Sequence, residues 1–495
     1  VNSSLLFKKV FSDSVVYGLS NTLSKFFTIL LVPLYTRLLT QAEFGAFDLL
    51  LAMIYIGALI LSLQIESATA RFFYEAQEQG KQEELISTTF WALLVVPFVG
   101  VIICFIVQDE LSFFLFKDTS QSIWVVWAAM VVPFYIQFHY KLLILRLLGH
   151  KWTYLAVSTG TIFFTFVLVI FLLNWLGLGV KGIFISQIAG YGSGVIMCFF
   201  ILKKYIRLCF SSHIFKEVLV YGLPIVPAVV SGWLLNYANR FILISFTDLT
   251  EVGIYSLAVK VASIILLFQQ AFRMAWVPYS FSVMKEEGSR EFYARMFSFH
   301  CFIMGIMIII TTLFADEIVS VFAPIDYSEA ARYVGVISLG IAISGNLFFA
   351  LGNSIVKKTY CNTAGFIAGA GINLVGLYLT VEKFPLAACA LWFTCGSLMA
   401  NILILMISQK NYPIPYATAR YALWFIFLGA LSLARLLQPV NRDLTFVLFL
   451  LKIATVLVLI FCLSLIILKP YERKNLISIL TSFKTIKKEL TKSIV

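Results

Sequence analysis

The chain has 495 residues, of which 61% are hydrophobic and only 13% charged, with a mean hydropathy of +0.94 and a formal net charge of +12. Water-soluble domains carry about 25% charged residues, so a soluble globular enzyme is excluded and an all-α polytopic membrane protein is expected. The basic excess does not call for nucleic acid, because it falls where membrane topology would put it.

Apolar runs of about 18 residues or more, enough to cross about 30 Å of hydrocarbon as helix, recur along the whole chain. They lie at 14–39, 44–70, 86–107, 121–148, 153–175, 180–202 and 216–246, then at 252–279, 296–315, 332–353, 360–381, 385–408, 417–437 and 445–468. These are fourteen expected spans. Basic residues close to spans are retained on the cytoplasmic side. With the amino terminus in the cytoplasm, 24 of the 37 Lys and Arg residues, Lys141 among them, fall on that side and seven on the other, with six inside or at the edge of spans. Both termini are therefore expected in the cytoplasm. The Lys-rich tail after Lys469 is expected to lie on an anionic leaflet. The first span is too long for a cleaved signal peptide and is expected to act as an anchor.

The connection from Lys203 to Lys216 divides the chain after six spans, and the second part opens much as the first does. Tyr17-Gly18-Leu19 opens the first span and Tyr221-Gly222-Leu223 the seventh; each span ends in a similar turn, Leu39-Thr40-Gln41-Ala42-Glu43-Phe44-Gly45 and Leu249-Thr250-Glu251-Val252-Gly253. Parallel repeats of this kind build two lobes around a central site. The expected organisation is one lobe over 1–205, a second over 206–415, two added spans over 416–470 and a basic tail over 471–495. Pro33, Pro97, Pro133, Pro224, Pro227 and Pro278 interrupt spans. Pro224 and Pro227 are the pair most suited to a bend in a moving helix.

Charges inside spans carry the functional expectation, because a cation at the centre of a spanning helix costs about 2.5–3.5 kcal/mol on insertion scales. Lys25 falls on one helical stripe with Ser14, Gly18, Asn21 and Thr28, and Lys260 on another with Ser256, Ser263 and Gln270, with Gln269 and Arg273 adjacent. Asn236 and Arg240 are one turn apart in the seventh span. Together these positions suggest a cavity lined by cations (Lys25, Arg240, Lys260, Arg273) and polar groups (Asn21, Asn236, Ser256, Ser263, Gln270), suited to phosphate oxygens. Asp48 and Glu66 have two readings: pairing with a nearby cation such as Lys25, or a proton or sodium site coupled to transport. Arg71 is ambiguous, and Arg37 and Arg146 suit interfacial anchoring.

Other chemistry is weak. The four histidines have no metal-ligand spacing, the eight cysteines are scattered without CxxC, and no P-loop, GxSxG or HExxH occurs. No metal or organic cofactor is expected, and the short loops leave little room for an extramembrane catalytic domain.

The six, six and two arrangement, the Tyr-Gly-Leu openings and the turns Glu43-Phe44-Gly45-Ala46-Phe47 and Glu251-Val252-Gly253-Ile254-Tyr255 resemble the polysaccharide transporter branch of the multidrug/oligosaccharidyl-lipid/polysaccharide exporter superfamily. The resemblance covers about residues 8–470. It implies an O-antigen-type flippase of the bacterial inner membrane, not an enzyme. Such a protein moves a polyprenyl-pyrophosphate-linked oligosaccharide from the cytoplasmic to the periplasmic leaflet by alternating access. Its cavity cations would face the pyrophosphate or acidic sugars, a role that falls by position on Lys25, Arg240 and Lys260. Membrane lipids, and a polysaccharide polymerase with its chain-length machinery, are the partners it implies. Three alternatives stay open: a drug/cation antiporter of the same superfamily, a peptidoglycan-precursor flippase, and a membrane polymerase or glycosyltransferase.

Overall fold

The computed structural model describes residues 3–468 apart from 285, 357–360 and 440–445, with side-chain surroundings given from residue 16 except at 21, 278, 354, 361 and 446–449. Lys285, Lys357, Lys358, Arg442 and the basic tail therefore lie outside the described residues, as do the side chains of Asn21 and Pro278.

The described chain is helical throughout. The first half comprises α1 (Ser3–Leu38), α2 (Gln41–Leu61), α3 (Ile65–Glu78), α4 (Gln82–Ile106), α5 (Gln108–Phe116), α6 (Ser122–Leu147), α7 (Lys151–Asn174) and α8 (Gly179–Leu202). The second comprises α9 (Ser212–Gly222), α10 (Val226–Phe246), α11 (Leu249–Ala262), α12 (Ile265–Ser282), α13 (Ser289–Leu313), α14 (Ala315–Phe322), α15 (Ala331–Gly345), α16 (Leu351–Ile355), α17 (Cys361–Thr380) and α18 (Pro385–Asn411). The added pair is α19 (Thr418–Leu437) and α20 (Phe446–Ile467).

Among the described residues twelve helical segments are long and apolar enough to cross a membrane, and the bent pair α11–α12 makes thirteen. The remaining expected span, 14–39, falls within the 36-residue helix α1. Several expected spans are broken rather than continuous. Span 44–70 ends as α2 at Leu61 and restarts as α3 at Ile65, with Leu63 and Gln64 in left-handed backbone at φ 49° and 55°. Span 216–246 passes through a 3₁₀ turn, Leu223–Ile225, where Pro224 removes a helix hydrogen bond and Pro227 sits in the first turn of α10. Span 252–279 bends by about 40° between α11 and α12.

The repeated turns have a local cause: each is a helix start. The Thr40 hydroxyl accepts from the Glu43 N–H while the Glu43 carboxylate accepts from the Thr40 N–H at 2.9 Å, closing a capping box on α2. In the second half the Asp248 carboxylate accepts from the Glu251 N–H at 3.0 Å. The counterpart of Thr40 is thus Asp248, not Thr250.

Within the first half α6 and α8 pack on α4 and α7, and within the second α18 packs on α15 and α17. Between the halves α2 lies along α11, α1 crosses α12, and the α2–α3 break meets α9. The first two spans of each half thus form the seam. The added pair docks on α13 and α15, held by an ion cluster in which Arg435 donates to Asp316 at 2.5 Å and Lys452 to Glu317 at 2.7 Å. Lys141, counted among the cytoplasmic-side basic residues, is buried in α6 with its ammonium 5.1 Å from the centre of the Phe90 ring. Its long apolar stem allows this burial, and the ring face supplies a cation–π contact.

Candidate functional site

The seam is closed at the face that carries the α1–α2 turn. Gly45 and Gly253 face each other there, and a methyl group on Gly45 would sit 2.1 Å from the Leu249 carbonyl oxygen. Only glycine lets the two backbones come this close. Around them the Thr36 hydroxyl donates to the Phe322 carbonyl at 2.6 Å, Gln41 Nε2 to the Asp326 carbonyl at 2.9 Å and Lys117 Nζ to the Ser245 carbonyl at 2.9 Å. All three bonds join the halves.

One turn deeper Asp48 of α2 reaches across to the second half. Its carboxylate accepts from Arg240 Nε, from the Ser256 hydroxyl at 2.7 Å and from Lys260 Nζ at 3.0 Å. The Asp48 and Arg240 side chains are each 3% exposed, that of Lys260 24%. Arg240 also donates to the Asn236 carbonyl at 3.0 Å and lies over the Tyr237 and Tyr255 rings. A buried charge must be paired and hydrogen-bonded to be tolerated, and this network meets that demand. The expected partner Lys25 is replaced by Arg240 and Lys260. In this conformation Arg240 is therefore an ion-paired strut and not a free cavity cation.

Beyond this cluster the halves part around a cavity of about 720 Å³. Its walls come from α2 and α3 (Tyr55, Ser62, Gln64, Glu66), α6 (Tyr135, His139), α10 (Trp233, Asn236, Tyr237) and α17 (Asn362, Thr363). It extends from Tyr55 and Tyr237, whose rings meet across the seam at 5.5 Å, toward the face opposite the glycine contact. The α2–α3 break belongs to this wall. Gly222 packs on it so closely that a methyl there would lie 2.6 Å from the Leu63 carbonyl oxygen.

The expected site residues do not form a single site. Asn236 and Glu66 line the cavity; Ser256, Arg240, Lys260 and Asp48 form the buried cluster; Ser263 turns back to the Lys260 carbonyl at 2.6 Å. Lys25 and Arg273 lie elsewhere, on α1 and α12, which pack on each other across the seam. Neither has a carboxylate partner among the described residues, and Arg273 lies over the Phe348 ring at 4.9 Å. Gln270 is half-buried on the same helix. Arg71 pairs with Glu75 on the surface of α3.

Several cavity residues are absent from the expected site: Trp233, Tyr237, Tyr135 and His139. The signal that marks two of them is the four-residue step from Trp233 to Tyr237, which puts two aromatic rings on one face of α10. A second missed element is Asn239, which donates to the Cys389 carbonyl at 2.9 Å and accepts from Asn373 at 2.7 Å, tying α10 to α17 and α18.

The sequence profile of a family described as polysaccharide biosynthesis protein matches residues 10–284, more than half of the chain. The chain belongs to that family. A protein of the Haemophilus influenzae Lsg locus is 25% identical over 295 residues, covering 56% of this chain and 68% of the relative. Two solved structures share the fold of this polysaccharide biosynthesis protein. The lipid II flippase MurJ in an inward closed conformation superposes with a TM-score of 0.67 at 15% identity, covering 91% of this chain and 97% of that one. An inward-facing multidrug resistance MATE family transporter of the MOP superfamily gives 0.64 at 15% identity, covering 85% and 95%. The chain is thus a multi-pass membrane protein that shares the fold of these two structures.

Proposed function

We propose that this protein is a flippase that carries a polyprenyl-pyrophosphate-linked oligosaccharide from the cytoplasmic to the periplasmic leaflet of the bacterial inner membrane. The observation that carries the reading is the cavity between the halves, whose largely apolar and aromatic wall carries Gln64, Glu66, Asn236 and Asn362, and which is sealed at one face by the Gly45–Gly253 contact. A lipid-linked sugar has a large polar head that cannot cross hydrocarbon unaided and a tail that prefers to stay there. A chamber between two halves, reached from the side, meets both demands. The charge distribution, with most basic residues on the side toward which the cavity extends, supports a cytoplasm-facing state.

In this reading Lys25 and Arg273, two like charges on opposite halves of the seam, hold the diphosphate at the α1–α12 crossing while the sugars enter the cavity. Anion binding relieves their mutual repulsion. Transport then requires the Asp48 cluster to part so that the sealed face can open. Arg240 and Lys260 become available to the anion at that stage. Asp48 or Glu66 is the group through which H+ or Na+ would bias the cycle.

The test is reconstitution of the full chain in vesicles with a labelled polyprenyl-pyrophosphate oligosaccharide, scoring accessibility of the sugar in each leaflet. Protein-dependent exchange of leaflet is the expected result, and none above empty vesicles would overturn the reading. A second reading, a drug/cation antiporter, is favoured by one observation, the Glu66 carboxylate in the cavity wall. Proton-driven efflux of an organic cation with no movement of glycolipid would select it.

A further inference from the structure

The cavity wall has a chemistry of its own. Trp233 and Tyr237 are stacked on α10 with centroids 6.1 Å apart and planes at 20°, and Trp233 is pinned across the seam by donating its indole N–H to the Ala52 carbonyl at 3.2 Å. Tyr55 meets Tyr237 on one side and Tyr135 on the other, with centroids 5.5 and 6.1 Å apart. All four rings are partly exposed, and the cavity is what exposes them. The same cavity is lined by the side-chain amide residues Gln64, Asn236 and Asn362. Among the described residues no Lys or Arg lines the cavity, and its one carboxylate is Glu66. Arg146, in the last turn of α6, lies outside the lining.

From this we infer that the cavity selects oligosaccharides whose sugars are neutral or carry an ammonium group, and rejects uronic acids. The inference rests on the flippase reading for its substrate. It reverses the sequence-based expectation of acidic sugars facing cavity cations. A pyranose presents an apolar C–H face that stacks on an aromatic ring, and hydroxyls that bond to amides around the rim. Aromatic faces are the negative pole of the ring quadrupole, so a cluster of four favours a cation and disfavours an anion. Glu66 adds a charge-assisted bond to a sugar ammonium. A uronate in the same place would be desolvated beside a like charge with no described cation to meet it. The two anionic and sugar-binding tasks are thus kept apart, the diphosphate at Lys25 and Arg273 and the sugars at the ring cluster.

The experiment has two arms. In the first, the full chain in detergent is titrated with soluble oligosaccharides of matched size, neutral, amino-bearing or uronate-bearing, by isothermal calorimetry. Neutral and amino-bearing sugars are expected to bind at least about tenfold more tightly than the uronate. Trp233→Ala should weaken all binding by about tenfold, and Glu66→Gln only that of the amino-bearing sugar. Equal binding of the uronate, or no binding of any sugar, overturns the inference. In the second arm, polyprenyl-pyrophosphate carriers bearing the same three heads are scored for leaflet exchange. Exchange of all three at one rate also overturns the inference but leaves the flippase reading standing. Selective binding in the first arm with no exchange in the second sinks the flippase reading and leaves the cavity's selectivity intact.

Discussion

Gly45 and Gly253 occupy each other's space across the seam, so that a methyl group on the second would lie 2.2 Å from the Gln41 carbonyl oxygen and one on the first 2.1 Å from that of Leu249. The contact is self-complementary: each glycine meets the start of the other half's second span. The turns that look alike in sequence are therefore the same piece of machinery used twice. Their capping residues start α2 and α11, and their glycines let the two helices touch.

Gly45→Val should wedge the seam open. The cost of overpacking at such a site is about 1–3 kcal/mol, which a protein of this size survives. A cysteine placed at Asp48's neighbour Leu49 in a cysteine-free background is expected to gain reactivity toward a membrane-impermeant thiol reagent. Unchanged labelling would show that this contact is not the seal.

Asp48→Ala should be strongly destabilising, because it leaves Arg240 buried without its counter-ion, a loss of about 3–5 kcal/mol for a buried pair. Removing both charges, with Asp48→Leu and Arg240→Met together, should recover most of that stability. Thermal unfolding in detergent would measure both. The double variant is expected to stay inactive in leaflet exchange, since in the proposed cycle Arg240 becomes available to the anion when that pair parts.

Lys25→Ala and Arg273→Ala should each lower glycolipid transport by about tenfold, the value of one charge-assisted bond of about 1.5 kcal/mol, with little effect on melting temperature. Neither group neutralises a described carboxylate, so neither removal strands a charge. A fall in membrane abundance equal to the fall in transport would assign them a structural role instead.

Arg435→Ala should loosen the added pair. The Asp316 side chain is 8% exposed and would keep only Lys452, 3.8 Å away. A destabilisation of about 3 kcal/mol is expected for a buried carboxylate that loses its hydrogen-bonded counter-ion. Limited proteolysis should then cut between α18 and α19 before the rest of the chain.

The spans and the repeat were legible because each depends on local properties. Hydropathy summed over about 20 residues decides whether a helix crosses the bilayer, whatever its neighbours. The bend at Pro224 and Pro227 was legible for the same reason. The break at Leu63 and Gln64 was not, since no Gly or Pro marks it; it is held by the close approach of Gly222 from the other half.

Charge alone could not say which cation would meet which carboxylate. Lys25, Arg240, Lys260 and Arg273 stand out equally in the sequence, each a costly cation in an apolar run. Packing then separates them: two are paired with Asp48 across the seam, and two lie on α1 and α12 with no carboxylate partner among the described residues. The aromatic cavity arises in the same way, from α2, α6 and α10 converging. Transfer from water to lipid is a cost each residue bears by itself, so the sequence determined that this is a two-lobed membrane protein with charges buried in it. Compensation of a buried charge is a property of pairs 119 residues or more apart, and only the tertiary structure decided it.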